Sequence, residues 1–90
     1  MFVALIAHDK PGAQNIRQEN RPMHLEYLKS TDLVAQAGPL LNPDAQMIGS
    51  LIILDVDDMA QAQNWADGDP YAKAGLFQTV TLTHWNRVIG

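Results

Sequence analysis

The chain has 90 residues, no cysteine and a formal net charge of −4 at pH 7. This length predicts a single domain over residues 1–90, and so short a chain buries only about 60–65% of the surface that its unfolded form exposes. The lack of cysteine excludes disulfides and thiolate metal sites. The acidic charge argues against a nucleic-acid partner, which requires a basic stripe. We therefore expect oligomerisation to supply further burial.

An apolar run opens the chain. Phe2 to Ala7 are all apolar, and the turn-forming residues Asp9-Lys10-Pro11-Gly12 follow shortly after, which is typical of a buried strand. The run lacks a basic flank and is too short for a signal peptide or a membrane span. We expect a cytoplasmic protein without a membrane partner.

A proline predicts where the first helix begins. Residues 13–20 are mostly polar and indicate a loop or a short helical turn. Proline is favoured at the first helical position and disfavours helical backbone in the residue before it. We therefore expect the helix to begin at Pro22, with Asn20 or Arg21 as its cap. His24 would then lie in the first turn.

Three more strands and a second helix are predicted downstream. The strands cover 33–37 with a continuation at 40–41 past an interruption at Gly38-Pro39, then 48–56 and 77–85; Asp57-Asp58 cap the second helix and Gly68 closes it. Asp69-Pro70-Tyr71 is expected to form a turn. The order β-α-β-β-α-β predicts an α+β, ferredoxin-like fold with both helices on one face of an antiparallel sheet.

The other face of this sheet has no helix to cover it. The third predicted strand, Ile48 to Val56, is apolar on both sides, so the uncovered face exposes apolar side chains. A second copy stacked sheet against sheet would bury them. We therefore expect a homodimer, or a higher oligomer built from it.

His24 is the first candidate for chemistry. Histidine is the side chain that most often transfers protons near neutral pH, and Arg17 and Arg21 are suited to bind an anionic substrate through bidentate hydrogen bonds. The alternative is a partly buried histidine bonded to backbone, beside two solvated arginines. Spacing alone favours this structural alternative.

Asp69 also has two interpretations. An aspartate before proline is a common start of a turn, whereas a carboxylate beside a histidine orients it and balances its charge in catalytic pairs. The predicted topology allows Asp69 and His24 to lie at the same end of the molecule. The sequence does not establish that they touch.

The remaining polar residues predict no metal or cofactor site. His8 and His84 are expected on central, neighbouring antiparallel strands with their ends pointing apart, so we interpret both as surface or edge residues. Ser50 follows Gly49 in a strand and lacks the second glycine and the following helix of a nucleophile elbow. The sequence contains no phosphate loop, dinucleotide fingerprint or zinc spacing.

Segments along nearly the whole chain resemble the YciI-like (YCII-related) family of small bacterial proteins. They are Asp9-Lys10-Pro11-Gly12, Arg17 with Arg21-Pro22-Met23-His24-Leu25, Ala37-Gly38-Pro39-Leu40, Gly49-Ser50, and Ala62 to Tyr71 followed by Ala74-Gly75-Leu76-Phe77. Each segment is weak evidence by itself. Their occurrence in the family's order makes the resemblance specific.

The resemblance implies a dimeric α+β barrel in which His24 pairs with Asp69. Lyase-type elimination, such as dehydrochlorination, is associated with some relatives. We therefore predict acid/base catalysis by His24 and Asp69, in an elimination or a hydrolysis. The small-molecule substrate, anionic or phenolic, is expected to bind to Arg17, Arg21, Ser50 and Tyr71. The alternative is a non-catalytic module that binds a small metabolite or helps another protein to dimerise.

Overall fold

The computed structural model describes residues 1–90 and has four strands and three helices. In chain order they are β1 (Phe2–Asp9), α1 (Gln14–Lys29), β2 (Val34–Leu41), β3 (Met47–Asp55), α2 (Met59–Gly68), α3 (Pro70–Lys73) and β4 (Phe77–Trp85). The strands form one sheet in the order β2-β3-β1-β4, and all neighbours are antiparallel. The predicted ferredoxin-like α+β fold is confirmed.

The hydrophobic core lies between the helices and one face of the sheet. In strand β1, Val3, Leu5 and Ala7 are buried on that face. They pack with Ile52 and Leu54 of β3, with Val56 just after that strand, and with Ala62, Trp65 and Ala66 of α2. Full burial of a leucine or isoleucine side chain contributes about 1.5–3 kcal/mol, so these few residues determine which face receives the helices.

Helix α1 begins earlier than the sequence predicts. It starts at Gln14, so Pro22 lies inside the helix and His24 lies in the third turn, not the first. Proline lacks the N–H that would bond to the carbonyl of Gln18, but its ring is on the exposed side of the helix. The first two turns escaped prediction because their buried member is Arg17, not an apolar residue.

Strand β2 and helix α3 also differ from the prediction. Strand β2 continues through Gly38-Pro39, and its register irregularities lie near its two ends. An edge strand tolerates proline because one side of its backbone needs no partner. Asp69 and Tyr71 do not form a simple turn, since Asp69 caps α3 and accepts a hydrogen bond from the backbone N–H of Tyr71.

The last strand is at an edge of the sheet, not at its centre. Strand β4 pairs only with β1, because β3 occupies the other side of β1. His8 and His84 are exposed and lie at opposite ends of the β1–β4 pair, opposite Thr79 and Val3 respectively. No group of three or more histidine or acidic side chains is arranged to hold a metal. None of the helices has the length and apolarity needed to cross a membrane.

Candidate active site

A buried histidine–carboxylate pair joins α1 to the segment between α2 and α3. The Nδ1 of His24 lies 2.8 Å from Oδ1 of Asp69, and the two residues are only 6% and 1% exposed. The same Oδ1 accepts the backbone N–H of Tyr71 at 2.9 Å, which fixes the carboxylate. Because a carboxylate accepts, His24 donates its Nδ1–H, and its Nε2 is the nitrogen that can exchange a proton with a ligand.

Tyr71 packs flat against this histidine. Its ring and that of His24 are stacked with centroids 3.9 Å apart at 15°, and the side chain is fully buried. Burial raises the pKa of the Tyr71 hydroxyl, although the positive charges of Arg17 and Arg21 oppose this shift. The raised pKa keeps the hydroxyl protonated at pH 7; Arg17 lies close to it, but the two form no hydrogen bond of regular geometry.

A second buried ion pair lies beside the first. Arg17 donates from Nε and Nη2 to the two carboxylate oxygens of Asp9 at 2.7 and 2.9 Å, and from Nη2 to Oγ of Ser50 at 3.0 Å. Its guanidinium carbon is 4.6 Å from the centre of the Tyr71 ring. Burial alone lowers the pKa of Arg17, but the hydrogen bonds and charge of Asp9 outweigh burial and raise it.

Asp9 is a residue that sequence reasoning missed. It precedes Lys10-Pro11-Gly12, so its composition indicated only a turn. The structure places it at the end of β1, with its side chain 7% exposed and paired with Arg17. The sequence offers one clue to this ion pair, an acidic residue followed eight positions later by an arginine. That spacing predicts a contact only when the start of the helix is known.

The site residues surround one cavity of about 160 Å³. Its lining comprises Arg17, Arg21, His24, Leu25 and Leu28 of α1, residues 37–39 of β2, Met47, Ser50 and Ile52 of β3, and Tyr71. Five of the six predicted site residues therefore face a common space. The sixth, Asp69, lies behind His24 and reaches the cavity only through it.

The two arginines have different environments. Arg17 is 5% exposed and bound to Asp9, so it is not one of the solvated arginines of the structural alternative. Arg21 is exposed and takes part in none of the three ion pairs of the protein. Arg21 is thus the cation at the cavity that no carboxylate of the protein neutralises.

A tyrosine on α1 packs against the end of α2, just before Asp69. The Tyr27 hydroxyl donates to the carbonyl of Trp65 at 2.7 Å, and a Cβ added at Gly68 would lie 2.5 Å from that hydroxyl. Gly68 was predicted to close α2, and it does end the helix. Its lack of a side chain also allows Tyr27 to approach. Burial and the charge of Asp69 both raise the pKa of Tyr27.

The chain is a two-layer α+β protein with a buried histidine–aspartate pair, and solved structures share its fold. One is the 5-chloro-2-hydroxyhydroquinone dehydrochlorinase (TftG) of Burkholderia phenoliruptrix AC1100 in complex with 2,5-dihydroxybenzoquinone, with a TM-score of 0.88, 28% identity, and coverage of 96% of this chain and 94% of that one. An antibiotic biosynthesis monooxygenase shares the fold alone, with a TM-score of 0.56 and 14% identity, over 96% of this chain and 98% of that one.

The chain belongs to the YCII-related domain family, whose model matches residues 1–86. It is 31% identical to Protein YciI of Escherichia coli O6:H1 over 97 aligned positions, which cover 98% of this chain and 99% of that protein. It is 30% identical to an uncharacterized protein of Haemophilus influenzae, again over 98% of this chain and 99% of the relative. The resemblance predicted from the sequence motifs is confirmed.

Proposed function

We propose that this protein is an acid/base enzyme in which His24 transfers a proton and Asp69 orients the His24 ring. The observation that supports the proposal is the 2.8 Å contact between their side chains, buried behind a cavity that His24 lines. Asp69 holds the imidazole in the tautomer with Nδ1–H and stabilises the cation that forms when Nε2 takes a proton. This is the orienting role that carboxylates have in histidine-dependent catalysis.

The substrate we propose is a small hydroxylated ring. Support comes from the dehydrochlorinase that shares the fold at 28% identity and acts on a chlorinated hydroxyhydroquinone. The cavity has apolar walls for a flat ring, which are formed by Leu25, Leu28 and Ile52. Both faces of the Tyr71 ring are already covered, by His24 and Arg17, so Tyr71 can contact the substrate only through its edge and its hydroxyl. Arg21 and Ser50 complete the polar contacts, and Arg17 positions Ser50 and Tyr71.

The reaction class we propose is elimination from a ring in its keto form. His24 Nε2 removes a proton from a ring hydroxyl, and the O–H electron pair becomes the new carbonyl bond. The conjugated electrons shift, and a halide leaves the saturated ring carbon with its bonding pair. The products are a quinone, the halide ion and protonated His24, which returns its proton to water. A hydrolysis would use the same base on a water molecule.

The test measures chloride release from 5-chloro-2-hydroxyhydroquinone under anaerobic conditions. We expect His24→Ala to lower the rate by about 10²–10⁴-fold, the usual contribution of a positioned acid or base, and Asp69→Asn to lower it as well. His84→Ala is the matched control, because His84 is exposed and outside the cavity. A rate unchanged by His24→Ala would remove the proposed role. Ring binding without turnover would favour the non-catalytic alternative.

We also propose that the protein acts as a homodimer in the cytoplasm. The sheet face without helices exposes Ile6 and Leu51, which lie opposite each other on β1 and β3, and a second copy would bury them. The absence of cysteine suits a reducing compartment. The mass of the protein in solution tests the first proposal, and fractionation of cells tests the second.

A further inference from the structure

Two adjoining cavities meet at the arginines of α1. His24 is among the residues that line the inner cavity of about 160 Å³, and an outer groove of about 320 Å³ opens beside it. Arg17, Arg21 and Met47 line both. A ligand in the inner cavity can therefore extend into the outer groove past Arg21.

The inner cavity has the size of a single six-membered ring. An apolar cavity of about 150 Å³ in a protein holds one benzene molecule, and this one has about 160 Å³ with half of its lining residues apolar. Leu25, Leu28 and Ile52 are among these apolar residues. A second ring or a long substituent does not fit there and must lie outside.

Five of the six residues that line the outer groove have polar or charged side chains, although much of the surface that they present is aliphatic. Besides the two arginines and Met47, its lining consists of Gln14, Gln18 and Gln46. Gln14 and Gln18 lie one turn apart on α1, and Gln46 faces them from just before β3. Amide groups are uncharged hydrogen-bond donors and acceptors, so this groove suits a polar group and does not repel an anion.

The charge at the junction is positive. Arg17 donates to both oxygens of Asp9, whereas Arg21 has no carboxylate partner. No aspartate or glutamate lines either cavity. A free guanidinium beside uncharged amides is suited to one carboxylate, which it binds through two parallel hydrogen bonds.

We propose that the ligand is one hydroxylated ring with a short anionic side chain. The ring occupies the inner cavity between its apolar walls, and the anionic group lies on Arg21 in the outer groove, where the glutamine amides hydrogen-bond to it. The contact between the ring and His24 rests on the proposed function. The position of the anionic group on Arg21 does not.

The test compares two ligands that differ only in the side chain. Hydroquinone and 2,5-dihydroxyphenylacetate have the same ring and hydroxyls, and only the second carries a carboxylate at pH 7. In calorimetric titrations of the wild-type protein we expect the carboxylate compound to bind about 10- to 100-fold more tightly, the usual effect of one charged hydrogen-bonded contact. Arg21→Gln should remove this preference, and Gln18→Ala should reduce it. Arg87→Gln, a change at an exposed arginine outside both cavities, should preserve it.

Each outcome has a defined meaning. Equal affinities in the wild-type protein, or a preference that survives Arg21→Gln, overturn the inference, and so does the absence of binding by both compounds. His24→Ala separates this inference from the proposed function. If His24→Ala keeps the preference for the carboxylate compound and also leaves chloride release unchanged, the proposed function fails. The inference that the ligand carries an anionic side chain then stands. If His24→Ala abolishes chloride release but the wild-type protein shows no preference, the proposed function stands and the inference of an anionic side chain fails.

Discussion

At the scale of single residues, Arg17 and Asp9 form an ion pair that is almost wholly shielded from water. Their side chains are 6% and 7% exposed, so neither charge is well solvated in the folded state. Such a pair adds little net stability compared with apolar residues of the same size, but removal of one partner leaves an uncompensated buried charge. The pair therefore fixes the position of Ser50 and Tyr71 in the cavity more than it stabilises the fold.

Removal of one charge of the pair should therefore cost more stability than removal of both, which gives the first prediction. Asp9→Asn should lower the free energy of unfolding by about 3–5 kcal/mol, because the Arg17 charge stays buried without its partner. The double variant Asp9→Asn/Arg17→Met should be more stable than the single variant, since no buried charge is left. Urea denaturation measures both. Asp44→Asn, at an exposed aspartate, should stay within about 0.5 kcal/mol of the wild type, and a similar small loss for Asp9→Asn would contradict the argument.

The two tyrosines, Tyr27 and Tyr71, give a prediction about alkaline pH. The pKa of each hydroxyl is raised in the folded protein, in both cases first by burial. The folded state therefore keeps these protons to higher pH than the unfolded chain does, where tyrosine titrates near about 10. Their contribution to stability is complete below about pH 10 and is lost as pH rises through the folded-state values.

Denaturation midpoints between about pH 8 and 11.5, a range that spans the tyrosine titration, measure this loss. The chain has only two tyrosines, so the double variant Tyr27→Phe/Tyr71→Phe has no tyrosine left to titrate. We expect its stability to fall less steeply with pH above about 10 than that of the wild type. Parallel curves for the two proteins would show that neither hydroxyl is shielded from ionisation in the folded state.

At the scale of elements, the contact between α1 and the end of α2 determines where Asp69 lies. Gly68 is the last residue of α2, and the Tyr27 hydroxyl occupies the space where another residue would have its Cβ. Alanine at this position would normally favour a helix. Here we expect the opposite effect, because the new methyl group would collide with a hydroxyl that is bonded to Trp65.

Gly68→Ala should therefore destabilise the protein by about 1–3 kcal/mol, as overpacking generally does. Tyr27→Phe in the same chain should restore part of the loss, because the nearest remaining ring atom, Cζ, lies 3.2 Å from the place of the new Cβ, whereas the hydroxyl oxygen lies 2.5 Å from it. Gly38→Ala is the matched control, since nothing lies within 4 Å of its Cβ position. Chemical denaturation of the wild type and the three variants provides the measurement, and a Gly68→Ala variant as stable as the control would contradict the proposed contact.

Helix α1 shows what could be predicted from the sequence and what could not. The strands and α2 were predictable because their inward residues are apolar with the period of their element. In α1 the only buried residues are Arg17 and His24, and both belong to the site. The pattern therefore indicated a loop or a short helical turn where the structure has the first turns of a long helix. The contact between Asp69 and His24 spans 45 residues, and only the family resemblance suggested it.

At the scale of the whole molecule, the fold has two layers and one sheet face without cover. An antiparallel sheet exposed to water normally shows polar residues on that side. Here Thr79, Thr81 and Thr83 of β4 follow this rule, but Ile6 and Leu51 at the centre of the sheet are 37% and 40% exposed. An exposed apolar patch of this kind is typical of an interface, so we expect a second copy of the chain to bury it.

Light scattering during gel filtration tests this expectation. The wild-type protein should have twice the 9.9 kDa mass of the chain, and Leu51→Lys should shift it to the mass of one chain, because the patch would then bury a lysine against apolar residues of the second copy. Val80→Lys is the matched control: Val80 is 43% exposed, but it shares the other sheet face with Ala7. It should leave the mass unchanged. A wild-type mass of 9.9 kDa, or a Val80→Lys variant that dissociates as Leu51→Lys does, would show that this sheet face is not the dimer interface.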